Sequence, residues 1–404
     1  MESRKKILIL TADAGFGHRS AASAIEAAIG AEGHGDCEVL VVDPFASKKT
    51  PAWLRRSLSD YDLVARNMPE LYKLGYDLSD MMALHELAKT GLSVCLFRSV
   101  REALHEFSPD AIIVTFPFYL PPLASLFAFK RRSIPVICVV TDLAEVHKVW
   151  FNEVTDLTVV PTTLGRKLAI KAGLAPGRVE VIGIPVHPKI SAESRSKAEL
   201  RAELGWKADL TTVLVVGSKR VKKLLEMMNV LNHSGLPIQV AIAAGGDDAL
   251  YARLRETQWH LPVHIYNFVR NLPTMMRGSD IMISKAGGLV VTESLAAGLP
   301  LIIIDVLPGQ EIGNAEFVVK GRAGEVAREP VDCLQTIRHW IDDDGRELKA
   351  RAASALELGR PHAAHDIAVR SREFAISGLQ RKDSVLSLAS LRDRLNRVNE
   401  PVKE

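Results

Sequence analysis

The sequence predicts an α/β fold of two Rossmann-like domains whose parallel sheets face each other across a cleft. Three observations predict it: short runs rich in Val and Ile recur, helical patterns separate them, and the series occurs twice. A continuous apolar run suits a strand buried on both faces, whereas alternation suits a strand with one wet face. Strands that alternate with helices build βαβ units, and these build parallel sheets.

The first series of strands is expected at 6–10, 38–42, 111–115, 136–141, 158–160 and 179–182. The second is expected at 212–216, 238–243, 263–266, 281–284 and 301–304. Between them, Gly183-Ile184-Pro185-Val186 is followed by Pro188 and several Ser and charged residues, which break the pattern. The expected division is one domain at 1–186, a second at 187–375 and a charged helical tail at 376–404. A chain of 404 residues has room for two such cores.

Composition narrows the function classes. The net charge of +3 is too small for a dedicated nucleic-acid binder. Cysteines stand only at 37, 95, 138 and 333, too scattered for a disulfide framework or a metal cluster, and they fit a reducing cytosol. The apolar run 7–10 is too short for a secretory signal. No stretch approaches the roughly 20 apolar residues of a spanning helix. The expectation is a cytoplasmic protein that, if it meets a membrane, lies against it.

The first expected strand ends in Thr11-Ala12-Asp13-Ala14-Gly15-Phe16-Gly17-His18, and an Ala-rich helix follows. Glycines at such a turn let backbone approach a ligand, and the helix N-terminus favours negative charge. Gly15 and Gly17, with Asp43 closing the second strand, also fit part of a dinucleotide fingerprint. Ser20 holds the place of its third glycine, which weighs against that alternative. His18 is more informative. A helix N-terminus keeps an imidazole neutral, and only a neutral imidazole accepts a proton from an alcohol.

A second glycine turn follows 281–284: Ser284-Lys285-Ala286-Gly287-Gly288, then a helix carrying Glu293. A carboxylate in that place pairs with ribose hydroxyls in dinucleotide sites. After the next strand, Gln310, Glu311 and Asn314 put two amides and a carboxylate within one turn. Such groups suit a hexose, whose hydroxyls both donate and accept.

Taken together these residues resemble one family. Gly15, Gly17 and His18 lead into Arg19-Ser20-Ala21-Ala22; Thr115-Phe116-Pro117 and Thr141-Asp142 follow, with His147 and Trp150-Phe151. Gly183-Ile184-Pro185-Val186 and the segments 285–293 and 308–314 complete the order. The chain resembles the monogalactosyldiacylglycerol synthases and processive diacylglycerol glucosyltransferases, relatives of the peptidoglycan N-acetylglucosaminyltransferase.

The resemblance implies a GT-B fold and an inverting, metal-free transfer of glucose or galactose from a UDP-sugar to diacylglycerol or a related lipid. It makes His18 the candidate base and puts Gly15, Gly17, Asp142 and His147 on the acceptor side, in the first domain. In the second domain, it assigns uracil to the backbone near Phe268 and ribose to Glu293. The diphosphate falls to Gly287 and Gly288 and the hexose to Gln310 and Glu311, with Gly217, Ser218, Lys219, Lys285 and Asn314 also on the donor side. No cofactor is implied, and oriented N–H groups plus a cation would meet the charge of departing UDP.

The chain departs from the family pattern at Gly217-Ser218-Lys219-Arg220, where a basic cluster replaces a run of glycines. Lys219 or Arg220 there would neutralise a diphosphate in place of N–H groups. The departure also leaves open a UDP-sugar-binding regulatory protein without catalysis. On the membrane side, Trp53, Leu54, Leu58, Tyr61, Ala65 and Met68 fall at helical spacing beside Arg55, Arg56 and Arg66. With Lys48, Lys49 and Lys130-Arg131-Arg132, this pattern suits an anionic membrane surface.

Overall fold

The computed structural model describes residues 4–13, 16–31, 36–53, 55, 82–129, 134–218, 221, 223–309 and 311–378. The first sheet contains β1 (Lys5–Leu10), β2 (Cys37–Val42), β3 (Ala111–Val114), β4 (Val136–Val139), β5 (Leu157–Val160) and β6 (Val179–Val181). Its order is β2-β1-β3-β4-β5-β6, all parallel. The second contains β7 (Thr211–Val216), β8 (Ile238–Ala243), β9 (Val263–Tyr266), β10 (Ile281–Lys285), β11 (Leu301–Asp305) and β12 (Gly324–Val326). Its order is β12-β11-β10-β7-β8-β9, also all parallel.

The continuous apolar runs became strands for the reason that predicts them. In β1, Leu8 and Leu10 face a core with Leu96, Leu123 and Tyr119, while Ile7 and Ile9 face Ile25 and Ile367 on the other side. In β10, Ile281 and Ile283 face one core and Met282 the other. Fully burying each such side chain is worth about 1.5–3 kcal/mol, which favours apolar residues on both faces. All eleven expected strands are present; β12, a three-residue edge strand, is the additional one.

In each sheet the chain order reverses once, between β1 and β3 in the first and between β7 and β10 in the second. Ligands in open α/β sheets bind beyond the carboxyl ends of the strands at that reversal. Both glycine turns lie there: the one after β1 leads into the helix Phe16–Ala31, and the one after β10 into the helix Gly288–Ala296.

The last described helix, Ala363–Ser377, falls mostly within the stretch expected to belong to the second domain, yet it packs on the first. Ala364, Ile367 and Ala368 are buried with Ile7, Ile9 and Ile25. Arg372 pairs with Asp36, and Arg370 with Glu180 of β6. The Arg372 guanidinium holds the Asp36 carboxyl below its ordinary range. The chain therefore crosses between the domains twice. The crossings touch at Gly183, whose φ of +122° and missing Cβ leave room for Arg360. After the first crossing, Ile184 and Val186 are buried in the second domain's core. Residues 379–404, the rest of the expected tail, lie outside the described residues.

Ile367 tests this returning helix. Ile367→Ala is expected to destabilise the protein by about 2–5 kcal/mol in urea unfolding, the cost of a truncated core side chain. A change below about 0.5 kcal/mol, the usual size for an exposed site, would place the helix elsewhere.

Candidate active site

His18 occupies the third position of the helix Phe16–Ala31, above the carboxyl end of β3. Its Nδ1 lies 2.8 Å from the carbonyl oxygen of Thr115 and 2.9 Å from the hydroxyl of Thr141. A carbonyl can only accept, so Nδ1 carries the hydrogen. In the neutral ring Nε2 then carries the lone pair. The ring packs edge-on against Phe116, 5.0 Å between centroids, and 5.9 Å from Trp150.

Burial lowers the His18 pKa to about 4, while the bond to the Thr115 carbonyl pulls the other way. Sequence reasoning expected a neutral ring because of the helix N-terminus. The ring is neutral, with burial as the chief cause.

The acceptor-side candidates divide. Gly17 opens the turn beside His18 with nothing near the place of a Cβ; Gly15 lies outside the described residues. Asp142 accepts a 2.7 Å bond from the Trp150 indole. Burial pushes its carboxyl up to about 6, opposed by that bond and the His147 backbone. His147 caps the short helix Lys148–Trp150, its Nδ1 accepting from the Val149 N–H at 3.2 Å. Asp142 and His147 thus shape one turn around Trp150.

The donor-side candidates begin at β10. Gly287 precedes the helix Gly288–Ala296 and offers no side-chain cap, so the first-turn N–H groups are uncapped at the N-cap position. Lys285 stands over this turn: its Nζ is 3.5 Å from the place of a Cβ on Gly287 and 3.7 Å from Glu311 Oε1. Glu311 is buried, and its Oε2 accepts from the Leu307 N–H at 3.0 Å. One carboxylate oxygen therefore holds the loop, and the other faces Lys285. Burial raises the Glu293 pKa to about 7, favouring the neutral carboxyl.

Asn314 differs from its expected role on the hexose. Its Nδ2 donates to the Ala286 carbonyl at 3.0 Å and its Oδ1 accepts from the Ala144 N–H at 3.3 Å. The amide thus ties the second domain to the first. Gly217 also differs from a diphosphate cradle, because its N–H donates to the Ala243 carbonyl at 2.8 Å. Its carbonyl passes so close to Gly245 that a Cβ there would meet it at 2.4 Å. Ser218 follows β7, Phe268 is exposed beyond β9 beside Gly246, and Lys219, Arg220 and Gln310 lie outside the described residues.

The two halves of the site meet through the loop 141–145. The Thr141 carbonyl is 3.5 Å from the place of a Cβ on Gly288, while its hydroxyl meets His18. Leu143 is buried in the second domain's core, and Gly313 leaves room for Glu145. Thr115 and Thr141 are the residues whose contribution sequence reasoning missed. Both stood within the quoted motifs, but only the strand order brings β1, β3 and β4 side by side.

The family pattern described as Monogalactosyldiacylglycerol (MGDG) synthase matches residues 18–186, and that of the Glycosyltransferase family 28 C-terminal domain matches 211–365. The chloroplastic monogalactosyldiacylglycerol synthase of Spinacia oleracea is 32% identical over 376 residues, covering 91% of this chain and 72% of the relative. The chain belongs to the monogalactosyldiacylglycerol synthase family. As a family member it is a glycosyltransferase with the GT-B fold. The Arabidopsis thaliana synthase 1 is 29% identical, covering 90% of this chain and 70% of its own.

Solved structures agree on the fold. MurG of Acinetobacter baumannii superposes with a TM-score of 0.57 at 16% identity, covering 91% of this chain and 99% of that one. The calicheamicin glycosyltransferase CalG4 gives 0.57 at 17% identity, covering 94% and 100%. A UDP-GlcNAc 2-epimerase from Neisseria meningitidis gives 0.59 at 14% identity, covering 91% and 100%. An epimerase among them means that the shape alone does not distinguish the chemistry, and the family membership does.

The protonation state of His18 is directly measurable. Its ring resonances are expected to stay flat from pH 8 to about pH 5.5 and to move only near about pH 4, because burial opposes the charged form. Titration near 6.5, the ordinary value, would mean a solvated ring.

Proposed function

We propose that this glycosyltransferase moves a hexose from a UDP-sugar to diacylglycerol, with inversion and without a metal. The observation that carries the reading is the juxtaposition of base and donor turn. The His18 imidazole and the uncapped start of the helix Gly288–Ala296 are separated by the span of one residue, Thr141.

In this reading the diphosphate sits on the first-turn N–H groups beside Lys285, Glu293 binds ribose, and uracil lies near Phe268. The acceptor hydroxyl attacks the anomeric carbon from the face opposite the diphosphate. Its proton passes to Nε2 of His18, the new carbon–oxygen bond forms, and the bond to the β-phosphate oxygen breaks. UDP leaves with the electron pair, onto a positive helix end and a lysine ammonium that are already oriented. Attack from the opposite face inverts the anomeric centre. The proton leaves Nε2 for solvent once product has departed.

The names of the curated relatives support diacylglycerol as acceptor, since those proteins are synthases of a galactosylated diacylglycerol. That acceptor stays in a bilayer, so we propose a peripheral protein on the cytoplasmic face of an anionic membrane. Trp53 is 65% exposed, next to exposed Lys48, Lys49 and Arg55, which suits an interfacial surface. Leu54, Leu58, Tyr61, Ala65, Met68, Arg56, Arg66 and Lys130-Arg131-Arg132 lie outside the described residues. Among the described residues no helix is long and apolar enough to cross a membrane, and no three His, Cys, Asp or Glu are grouped to hold a metal.

The test is UDP release from radiolabelled UDP-glucose and UDP-galactose over diacylglycerol vesicles, with His18→Ala beside the native chain. The native chain is expected to turn over one or both donors only when diacylglycerol is present. His18→Ala is expected to lose about 10²–10⁴-fold in kcat, the worth of a general base, with UDP affinity unchanged. Normal turnover in that variant would remove His18 as base. UDP binding without turnover on any lipid would favour the regulatory reading instead.

A further inference from the structure

We propose that Thr141 is a positioning residue for His18, and that the loop 141–145 ties the base to the donor turn. The inference rests on the reading of His18 as general base and deepens it. Nδ1 has a single hydrogen, and two oxygens lie within reach of it: the Thr115 carbonyl at 2.8 Å and the Thr141 hydroxyl at 2.9 Å. The carbonyl alone suffices to fix the tautomer. The hydroxyl is a second acceptor on the same N–H, and its value depends on the charge of the ring.

When Nε2 takes the acceptor's proton, the ring becomes an imidazolium and Nδ1–H becomes a charge-assisted donor. Both oxygens then bind it more strongly than they bind the neutral ring. An interaction that strengthens along the reaction raises kcat without tightening substrate binding. Thr141 acts through His18, without contact to substrate.

Thr141 is itself held by the donor side. Its carbonyl packs against Gly288, Leu143 is buried among Val291 and Leu295, and Ala144 donates its N–H to Asn314. Asn314 in turn donates to Ala286. Two residues of the donor turn, Ala286 and Gly288, thus set the loop that sets the imidazole. Asn314, expected on the hexose, serves in this arrangement as the clasp between turn and loop. A shift of the donor turn therefore reaches the base through a single packed loop.

Thr141→Val keeps the shape of the side chain and removes the acceptor. Its kcat is expected to fall about ten- to a hundredfold, the worth of a hydrogen bond to a charged group. KM for the UDP-sugar and UDP affinity are expected to stay within about twofold, since uniform binding is untouched. Thr141→Ser restores the hydroxyl and is expected to recover most of kcat, although it loses the methyl. Thr141→Ala serves as a second variant with the same expected loss should the valine substitution disturb folding.

A purely structural role would reverse these signs: serine would rescue poorly, and UDP affinity and thermal stability would fall together with kcat. Native kcat in Thr141→Val beside an inactive His18→Ala would overturn the positioning role and leave the base intact. An active His18→Ala would overturn the base reading itself, and this inference with it.

Discussion

The hydrogen bond from His18 Nδ1 to the Thr115 carbonyl is the constraint on which the site's chemistry depends. A backbone carbonyl has no protonation state to vary, so it fixes the tautomer at every pH at which the fold survives. That leaves the basic nitrogen on the other side of the ring. Burial then keeps the ring neutral, and neutrality is the condition for taking a proton from an alcohol. The carbonyl belongs to the residue immediately after β3, so the sheet register that pairs Leu10 with Val114 also sets the height of the imidazole.

The fold repeats one device in each domain and opposes the two copies. Each sheet reverses its strand order once, and each reversal opens a crevice above which a glycine turn starts a helix. In the first domain the turn carries an imidazole; in the second it carries a lysine and open N–H groups. The helices Phe16–Ala31 and Gly288–Ala296 approach one another, with the loop 141–145 between them. The returning helix Ala363–Ser377 and the contact of Arg360 with Gly183 link the domains away from the cleft. His18 and the turn at Gly287 and Gly288 are thus held by separate cores, yet meet through the loop 141–145, of which Leu143 and Ala144 are buried.

Much of this was legible in the sequence, for a physical reason. A strand buried on both faces is predominantly apolar, so eleven strands and their division into two series could be read from short Val- and Ile-rich runs. Strand β12 could not, because three residues at a sheet edge carry no period. Helix Ala363–Ser377 has an apolar face, but amphipathicity does not say which sheet that face will cover. At the site, what could be read was position: His18, Lys285, Gly287, Gly288 and Glu293 stand at or just after strand-to-helix turns. Asn314 was assigned to a sugar from its functional group, whereas the fold spends that amide on two backbone partners. Thr141 drew no role because its importance comes from strand order, which no linear pattern records.

The most direct test of this arrangement is a crystal structure with UDP bound. The diphosphate should rest on the first-turn N–H groups of the helix Gly288–Ala296 beside Lys285. The His18 ring should keep Nδ1 on Thr115 and turn Nε2 toward the β-phosphate, with space for one hexose between. UDP lodged away from Gly288, or an imidazole whose Nδ1 has left the Thr115 carbonyl, would contradict it.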